Sequence, residues 1–595
     1  MAYVPSDAAG DLSQAFAVYG SISFDGNGNY SIDGDEFDSN NQVQQPFSVA
    51  GTYTISASGM GFLDNPISSG DTIFGLVANG IFLGSSTDNT SGFNDLFIAA
   101  PMTSSAVASG VFKGPYAVSL FSPGGSAANT ADAFFQINPD GQGHLGNVSI
   151  TGYFGGTTST VTQNSSSIKY IISNGAANVM FPNSQNAAFI AGNEYLYPTP
   201  DGNFVFGGSP FGFDMLVGVH PLSGATSADF SGLYYNAGVD EDTSQLGNGS
   251  AILDTYYGAL VATNGDVVGH QRILSTGPTD FTYADVYSVN SDGSYDDNLT
   301  STHYVVGTGG IRVGYGIGPF LGLSVAVKAP TVSGQGVFIS PQGVVNAASS
   351  APFTASIAPG ELITLYGSNM SNTAKVAKTA PLPTSLGQTE VFINGVKAPI
   401  YVVSPGQISA LVPYGLGGTV AQIQVLNNGK LSNIVTQFVG QTAPGVFTSP
   451  AGGLGLGAVL HQNFSKVTDA HPAAPGETIQ IFLTGLGAVF PTIADGAVGP
   501  SGTLSKATNA ITAFIGGESA KVTYAGLAPE LAALYQLNVT IPSDLAAGDY
   551  YLNVSGPDSY TSEAILPVGG SNAAADELTT AAPSERARSM RGRGR

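Results

Sequence analysis

Two stretches, PGELITLYGSNM at Pro359–Met370 and PGETIQIFLTGLG at Pro475–Gly487, decide the fold of the second half. In each, a Pro-Gly-Glu turn precedes alternating apolar residues, which is the period of a half-buried strand. Three more segment pairs repeat in the same order: EVFINGVKAPIYVV from Glu390 with TAFIGGESAKVTYA from Thr512, GQISALVPYGL from Gly406 with YQLNVTIPSDL from Tyr535, and AQIQVLNNGKLSN from Ala421 with YYLNVSGPDSYTS from Tyr550. The pattern predicts a duplicated unit of about 100 residues and seven short strands, typical of an immunoglobulin-like sandwich.

Turn chemistry supports the duplication. Asn394-Gly395 in the first copy falls on Gly516-Gly517 in the second. Both dipeptides accept the positive φ of a two-residue hairpin, so the turn is kept although the residues change. The one helix-like segment is PELAALYQL from Pro529, which we expect to form a turn or two of helix inside a connection.

The first half reads as a meander of strands. Asp-Gly and Asn-Gly pairs lie between short alternating segments, as in GSISFDGNGNYSI from Gly20, FFQINPDGQGHLGNVSI from Phe134 and VYSVNSDGSYDD from Val286. Each of these hairpins is followed by a Tyr-containing strand, at Gly51, Ile168 and Thr302. We therefore expect about three degenerate copies of a β-repeat.

Composition agrees with an all-β protein that does not bind nucleic acid. Charged residues make up 10%, against about 25% in ordinary domains, and Gly is frequent at 80 residues. Residues 1–330 contain 27 acidic and 5 basic side chains, so they would repel nucleic acid and anionic lipid. There is no Cys, which excludes disulfides and thiolate metal sites. No run is long and apolar enough for a transmembrane segment, and MAYVPSDAAGDLSQAF shows no signal peptide.

These patterns predict the following domains: an acidic β-repeat region at 1–330, a linker at 331–352, immunoglobulin-like domains at 353–440 and 441–570, and a disordered basic tail at 571–595. The fold class is thus all-β, with a β-repeat region before two tandem immunoglobulin-like β-sandwich domains.

The segment from Gly343 (GVVNAASSAPF) to Val568 resembles the Solibacter-type uncharacterised C-terminal domain of exported acidobacterial proteins. Residues 1–330 resemble, more loosely, β-repeats of the same proteins, through FDGNGN at Phe24 and GTYTI at Gly51. The resemblance implies an extracellular or cell-surface setting and immunoglobulin-like modules. It implies no catalytic residues, because that family has no assigned activity.

The sharpest candidate site is a calcium loop in DGNGNYSIDGDE. Asp25, Asn27, Asn29, Asp33 and Glu36 have the spacing of oxygen ligands in such a loop, with Ser31 between them. Tyr30 stands where the loop needs Gly, and the flanks are strand-like, so a polar hairpin without metal is the favoured interpretation. Two further acidic groups are alternatives for Ca²⁺, with solvated loops as the simpler reading: Asp240, Glu241 and Asp242, and Asp292, Asp296 and Asp297.

Other features are weaker. The six His residues are scattered, so each is expected on a surface or strand face. The doublets Tyr234-Tyr235 and Tyr256-Tyr257 are expected in core packing, with an exposed glycan platform as the alternative. Five Arg residues after residue 585 suggest binding to an anionic surface or to the acidic body of a neighbouring molecule, although a solvated tail is the commoner outcome.

The sequence therefore favours a non-catalytic extracellular or cell-surface structural or adhesive protein that self-associates into an oligomer, fibre or layer. A polysaccharide-binding protein is the second hypothesis. The third is a secreted hydrolase with a carboxylate pair in a cleft of residues 1–330. No nucleophile elbow or phosphate-binding loop supports catalysis.

Overall fold

The structure is a computed structural model that describes residues 1–5, 11–87, 93–182, 188–275, 277–297 and 301–569. Strands make up 56% and helices 2%, which confirms the all-β prediction. The helical elements described are α1 at Ser105–Val111 and 3-10 turns at Leu246–Asn248 and Thr308–Gly310. In this part of the chain, no helix has the length and apolar character needed to cross a membrane. The predicted tail at 571–595 lies outside the described residues.

Module 1 is an antiparallel meander. Its described strands, β1 to β9, are Ala2–Pro5, Leu12–Phe24, Asn29–Asp38, Gln44–Ile55, Met60–Asp64, Thr72–Ala78, Ile81–Ser85, Asn94–Asp95 and Phe97–Ala99. Neighbours pair in the order β8-β1-β2-β3-β4-β5-β6-β7-β9. Asn79 and Gly80 turn the chain between β6 and β7 at φ of 53° and 77°, as a two-residue hairpin requires.

Module 2 is a closed antiparallel barrel. Its described strands, β10 to β17, are Tyr116–Ser122, Ala131–Ile137, His144–Phe154, Val161–Ser173, Ala176–Phe181, Gly192–Pro198, Phe204–Gly208 and Met215–Val219. The barrel closes because β10 pairs with β17 as well as with β11. Buried Val118, Ile150 and Val179 belong to the apolar core that fills it.

Module 3 follows the same plan. Its described strands, β18 to β25, are Gly232–Asp242, Ile252–Thr263, Asp266–Leu274, Pro278–Val286, Ser294–Asp297, Thr302–Gly307, Ile311–Gly316 and Phe320–Lys328. The first strand again pairs with the last, β18 with β25. Tyr116 and Tyr234 occupy equivalent fully buried positions in β10 and β18, each packed on a buried Phe four residues earlier.

Two sandwiches complete the described chain. Sandwich 1 contains β26 to β35, at Phe338–Asn346, Leu362–Ser368, Lys375–Val376, Thr389–Ile393, Val396–Ala398, Ile400–Val403, Gln407–Leu411, Val420–Asn427, Lys430–Leu431 and Val435–Phe438. Sandwich 2 contains β36 to β47, at Gly445–Val446, Thr448–Ser449, Gly455–Gly457, Val459–Leu460, Thr478–Thr484, Val489–Phe490, Lys506–Ala507, Thr512–Ile515, Glu518–Leu527, Tyr535–Thr540, Gly548–Ser555 and Ser559–Val568.

The quoted sequence pairs occupy equivalent strands of the two sandwiches. β27 pairs with β32 as β40 pairs with β45, and β29 pairs with β33 as β43 pairs with β46. The Pro-Gly-Glu turn is also conserved: Oε2 of Glu361 accepts the Ala358 N–H at 2.7 Å, and Oε2 of Glu477 accepts the Ala474 N–H at 3.0 Å. Both copies thus fold by the same local rules.

Two local expectations need correction. Residues 338–346 of the predicted linker form β26, because Ile339 and Val344 are buried in the core of sandwich 1. The segment from Pro529 is not helical: Glu530 and Ala533 have φ of 63° and 58°, which breaks the α conformation.

The modules are joined by buried contacts. One apolar cluster contains residues of modules 1, 2 and 3 together with Phe353. Asp132 of module 2 is fully buried, and its Oδ2 accepts the N–H groups of Gly316 and Gly322 in module 3 at 2.7 and 2.9 Å. Module 3 is joined to sandwich 2 by parallel pairing of β21 with β47. The division into domains stays a prediction.

Candidate functional site

The predicted calcium ligands do not converge on one point. Asp25 lies in the β2–β3 turn, where its Oδ1 accepts the N–H groups of Asn27 and Asn29 at 2.7 and 2.9 Å. Asn29–Asp38 is a strand, so Glu36 lies about 23 Å along it from Asn29 at ~3.3 Å per residue. Asp33 accepts the Ser48 hydroxyl instead. Calcium–oxygen distances of about 2.3–2.6 Å leave no position where one ion reaches both ends.

The Asp25 turn recurs elsewhere with a structural role. Asp140 and Asp292 accept the N–H two residues later, at 2.7 and 3.0 Å, as Asp25 does. Hydrogen bonds lower the pKa of each carboxyl below its usual value, chiefly those from the Asn29 side chain to Asp25, from the His144 N–H to Asp140 and from the Ser294 hydroxyl to Asp292. Among the described residues, no group of three or more His, Asp or Glu side chains could hold a metal ion. The Asp-Gly pattern is explained by turn capping.

In each of the other two acidic groups, neighbouring carboxyls lie on opposite faces of their strand. Glu241 is buried and lies near Thr130 and Asp11; burial raises its pKa to about 7. Asp240, its neighbour on β18, lines a cavity inside module 3. In the third group, Asp296 is exposed and pairs with His303 at 2.6 Å, whereas Asp297 is buried. Neither triplet forms a common site.

The tyrosine doublets are buried on both sides of their strands. Tyr234, Tyr235, Tyr256 and Tyr257 are exposed by 0–5%. An exposed glycan platform at these four residues is therefore wrong, and core packing is what the structure shows. Each strand is covered on both faces, because the interior of module 3 lies on one side and neighbouring modules on the other.

A buried carboxyl pair exists in module 2. Glu194 and Asp214 share a side-chain hydrogen bond, and burial raises the pKa of both groups. Two hydrogen-bonded carboxyls share a proton, whereas a glycosidase needs them ~5–9.5 Å apart on either side of a substrate. Neither cavity described below is lined by this pair. Its geometry does not match the predicted hydrolase site.

The most elaborate polar arrangement lies where module 3 meets both sandwiches. Oδ1 of Asp280 on β21 accepts a hydrogen bond from Arg272 at 2.8 Å and lies 3.3 Å from Nε2 of His270. The other ring nitrogen of His270 is 2.9 Å from the Thr354 hydroxyl of sandwich 1. Burial opposes ionisation of Asp280, but Arg272 and His270 overcome it and hold its pKa well below the usual value. His270 lies on a strand face, one of the two placements expected for each His, and it is fully buried.

Sandwich 2 contributes a second carboxyl group to this junction. Glu563 is the extra residue of a β-bulge on β47, since Leu552 pairs with Ala564 and Asn553 with Ser562. Burial raises its pKa to about 8. Its neighbours are the hydroxyl groups of Thr282 in module 3, Ser349 in sandwich 1 and Thr561 in sandwich 2.

Both cavities of this region are small. The junction cavity has a volume of about 20 Å³, which accommodates about one water molecule. It is lined by polar side chains that include Asp280, Thr282, Glu361, Gln437 and Ser559. The cavity inside module 3 has the same volume, with Asp240, Tyr256, Gln271, Thr302 and Ser324 among its lining residues. The junction is suited to holding modules together rather than to binding an organic substrate.

Module 3 also contains an arginine enclosed by aromatic rings. Arg312 is 4% exposed, and its Nη1 donates to the Tyr295 hydroxyl at 2.7 Å. Its guanidinium carbon lies 3.9 Å from the Tyr304 ring centroid and 5.1 Å from that of Phe230. Sequence reasoning missed this group. The available signal was a single Arg inside the otherwise uncharged strand IRVGYG.

Comparison with known proteins identifies one part of the chain. Residues 345–439 match the IPT/TIG domain, an immunoglobulin-like fold, and so cover most of sandwich 1. No curated protein matches the sequence.

Three solved structures resemble parts of the chain at low similarity. The Bacteroides ovatus protein SGBP-B of a mixed-linkage glucan utilization locus has 15% identity and a TM-score of 0.18, over 44% of this chain and 54% of that one. This chain thus spans about half of its length. A Nostoc punctiforme protein of the DUF3598 family has 14% identity and a TM-score of 0.15, over 38% and 100% of the two chains. The titin immunoglobulin tandem A164–A165 has 12% identity and a TM-score of 0.11, over 38% and 93%.

Proposed function

We propose that this protein is a non-catalytic structural or adhesive component of the cell exterior, in which three β modules and two sandwiches form one mechanically continuous body. The observation that carries the proposal is the pairing of β21 with β47, residues 280–283 with 559–562. Tension applied to such a body is shared across several hydrogen bonds instead of being taken by a flexible linker.

Polar contacts across the junction support the same function. The N–H of Asp280 donates to the Asp558 carbonyl at 3.0 Å, and the Asp558 carboxylate accepts the N–H groups of Gln441 and Thr442. Opening the junction would therefore exchange these hydrogen bonds for contacts with water, at a net cost of about 1 kcal/mol for each bond. The IPT/TIG match and the resemblance of residues 343–568 to exported acidobacterial domains support the exterior location.

The location is tested by immuno-electron microscopy of cells that make the native protein. Label on the cell surface or in extracellular material is expected, and label confined to the cytoplasm would refute it.

The mechanical proposal is tested by calorimetry of the full chain. Module 3 and the sandwiches should unfold in one transition. Arg272→Met removes the partner of buried Asp280, so it should cost about 3 kcal/mol and split that transition. Lys397→Met is the control, because Lys397 forms an exposed ion pair with Glu390. Independent melting of sandwich 2 in the unmodified chain would contradict the proposal.

A further inference from the structure

A half-buried group of tyrosines lies at the seam between modules 1 and 2. Tyr19 on β2 stands opposite Asp35 on β3, and its hydroxyl donates to the Pro210 carbonyl of module 2 at 3.4 Å. The Tyr19 and Tyr195 rings are 5.9 Å apart at 75°. Tyr197 is two residues further along β15, on the same strand face as Tyr195. We call Tyr19, Asp35, Tyr195 and Tyr197 the tyrosine cleft.

The cleft is acidic as well as aromatic. Burial and the Asp35 carboxylate raise the pKa of Tyr19, and burial, Tyr195 and Asp35 raise that of Tyr197 to about 12. Asp35 therefore faces both rings. Residues 1–112 contain eleven acidic side chains and neither Lys nor Arg, so the surroundings attract cations. Aromatic faces combined with a carboxylate are what a guanidinium group binds best.

The same chain shows how this fold accommodates such a group. Arg312 stacks on Tyr304 and donates to Tyr295 inside module 3, as described above. The tyrosine cleft offers similar rings at a surface, with no arginine of its own in residues 1–112. Outside the described residues, the chain carries Arg586, Arg588, Arg591, Arg593 and Arg595.

We propose that the tyrosine cleft binds the arginine-rich segment 585–595 of this protein. Arginines two residues apart in an extended chain project to the same side at intervals of about 6.6 Å, close to the spacing of the Tyr19 and Tyr195 rings. Binding in a neighbouring copy joins molecules, whereas binding in the same copy closes a loop. The inference goes beyond the proposed function, because the junction of module 3 and the sandwiches does not depend on it.

Disulfide trapping in the full chain tests the contact directly, because the protein has no Cys of its own. Gln44 lies opposite Phe37 and bonds to Tyr19, on the cleft face of β4, whereas Gln45 points to the opposite face. Ser589→Cys combined with Gln44→Cys should form a disulfide at least tenfold faster than Ser589→Cys with Gln45→Cys. A dimer on a non-reducing gel indicates binding between copies, and a cross-linked monomer indicates binding within one copy; both support the proposal. Equal rates for the two pairs would overturn it.

Peptide binding provides an independent measurement. The acceptor is the full chain with its five segment arginines replaced by Gln, and the probe is a labelled peptide of residues 584–595. Asp35→Asn and Tyr195→Ser should each weaken binding by about tenfold, the size of a cation–π or charge contact. Glu36→Gln, the same charge change on the opposite face of β3, should leave binding unchanged. The proposal would be overturned if all variants bound the peptide with equal affinity. It would also be overturned if the cleft bound a glycan of a panel and did not bind the peptide.

Discussion

Replacing Glu563 by Gln should stabilise the junction, by an amount that grows with pH. In the unfolded chain this carboxyl group loses its proton near pH 4.5, whereas burial in the folded protein keeps it protonated up to about pH 8. Between these two values the unfolded state releases a proton that the folded state retains. The free energy of unfolding therefore falls by about 1.4 kcal/mol per pH unit as the pH rises.

Relative to pH 4.5, the Glu563 carboxyl lowers the free energy of unfolding by about 3 kcal/mol at pH 7 and by roughly 5 kcal/mol above pH 8. Gln has nearly the same shape and remains neutral, so Glu563→Gln should be about as stable as the native protein at pH 4.5 and more stable above it. Amide hydrogen exchange of residues 548–568 at pH 5 to 8 measures the local free energy of opening. Glu518→Gln, the same charge change at an exposed residue of sandwich 2, is the control. A stability gain that does not vary with pH would refute the reasoning.

Four further predictions concern other polar groups of the protein. Glu361→Gln should stabilise the protein increasingly above pH 4.5, because burial raises the pKa of that carboxyl. Burial opposes ionisation of Glu477, but the Ala474 N–H and His461 lower its pKa, so Glu477→Gln should destabilise the protein above pH 4.5, and this effect is lost on acidification. Urea titrations at pH 4 and 7 measure the free energy of unfolding of both variants. Arg312→Met should cost about 2–4 kcal/mol, seen as a lower melting temperature of the transition that module 3 shares with the sandwiches. Ca²⁺ and chelator should leave the melting temperature unchanged, since the Asp25 turn is satisfied internally.

Local features were the predictable part of this fold. Asn394 and Gly395 take φ of 50° and 78°, and Gly516 and Gly517 take 57° and 86°, because only residues that tolerate the left-handed region can make such turns. The strand segments of the duplication were equally visible, since alternation is a local property. The pairing of β21 with β47 was not visible, because the strand period does not specify that Asp280 pairs with the distant Ser559.

The predicted calcium ligands illustrate a related point. A spacing such as that from Asp25 to Glu36 has ligand geometry only if the intervening chain curls, and in an extended strand it separates the same residues. The junction groups His270, Asp280 and Glu563 come from three segments with no shared motif, so only the folded chain brings them together.

Burial on both strand faces also explains where binding can occur in this protein. Alternation normally leaves one face of an antiparallel sheet to solvent, yet in β18 both Tyr234 and Tyr235 are fully buried, because neighbouring modules cover the outer face. In module 3 both faces of β18 and β19 are therefore taken up by packing, and the two cavities described above have room for about one water molecule each. At the seam between modules 1 and 2, by contrast, Tyr19 and Tyr195 are only half-buried, with their ring centroids 5.9 Å apart. Half-buried aromatic rings beside a carboxylate can still accept a cation, which is the reason to test the tyrosine cleft first.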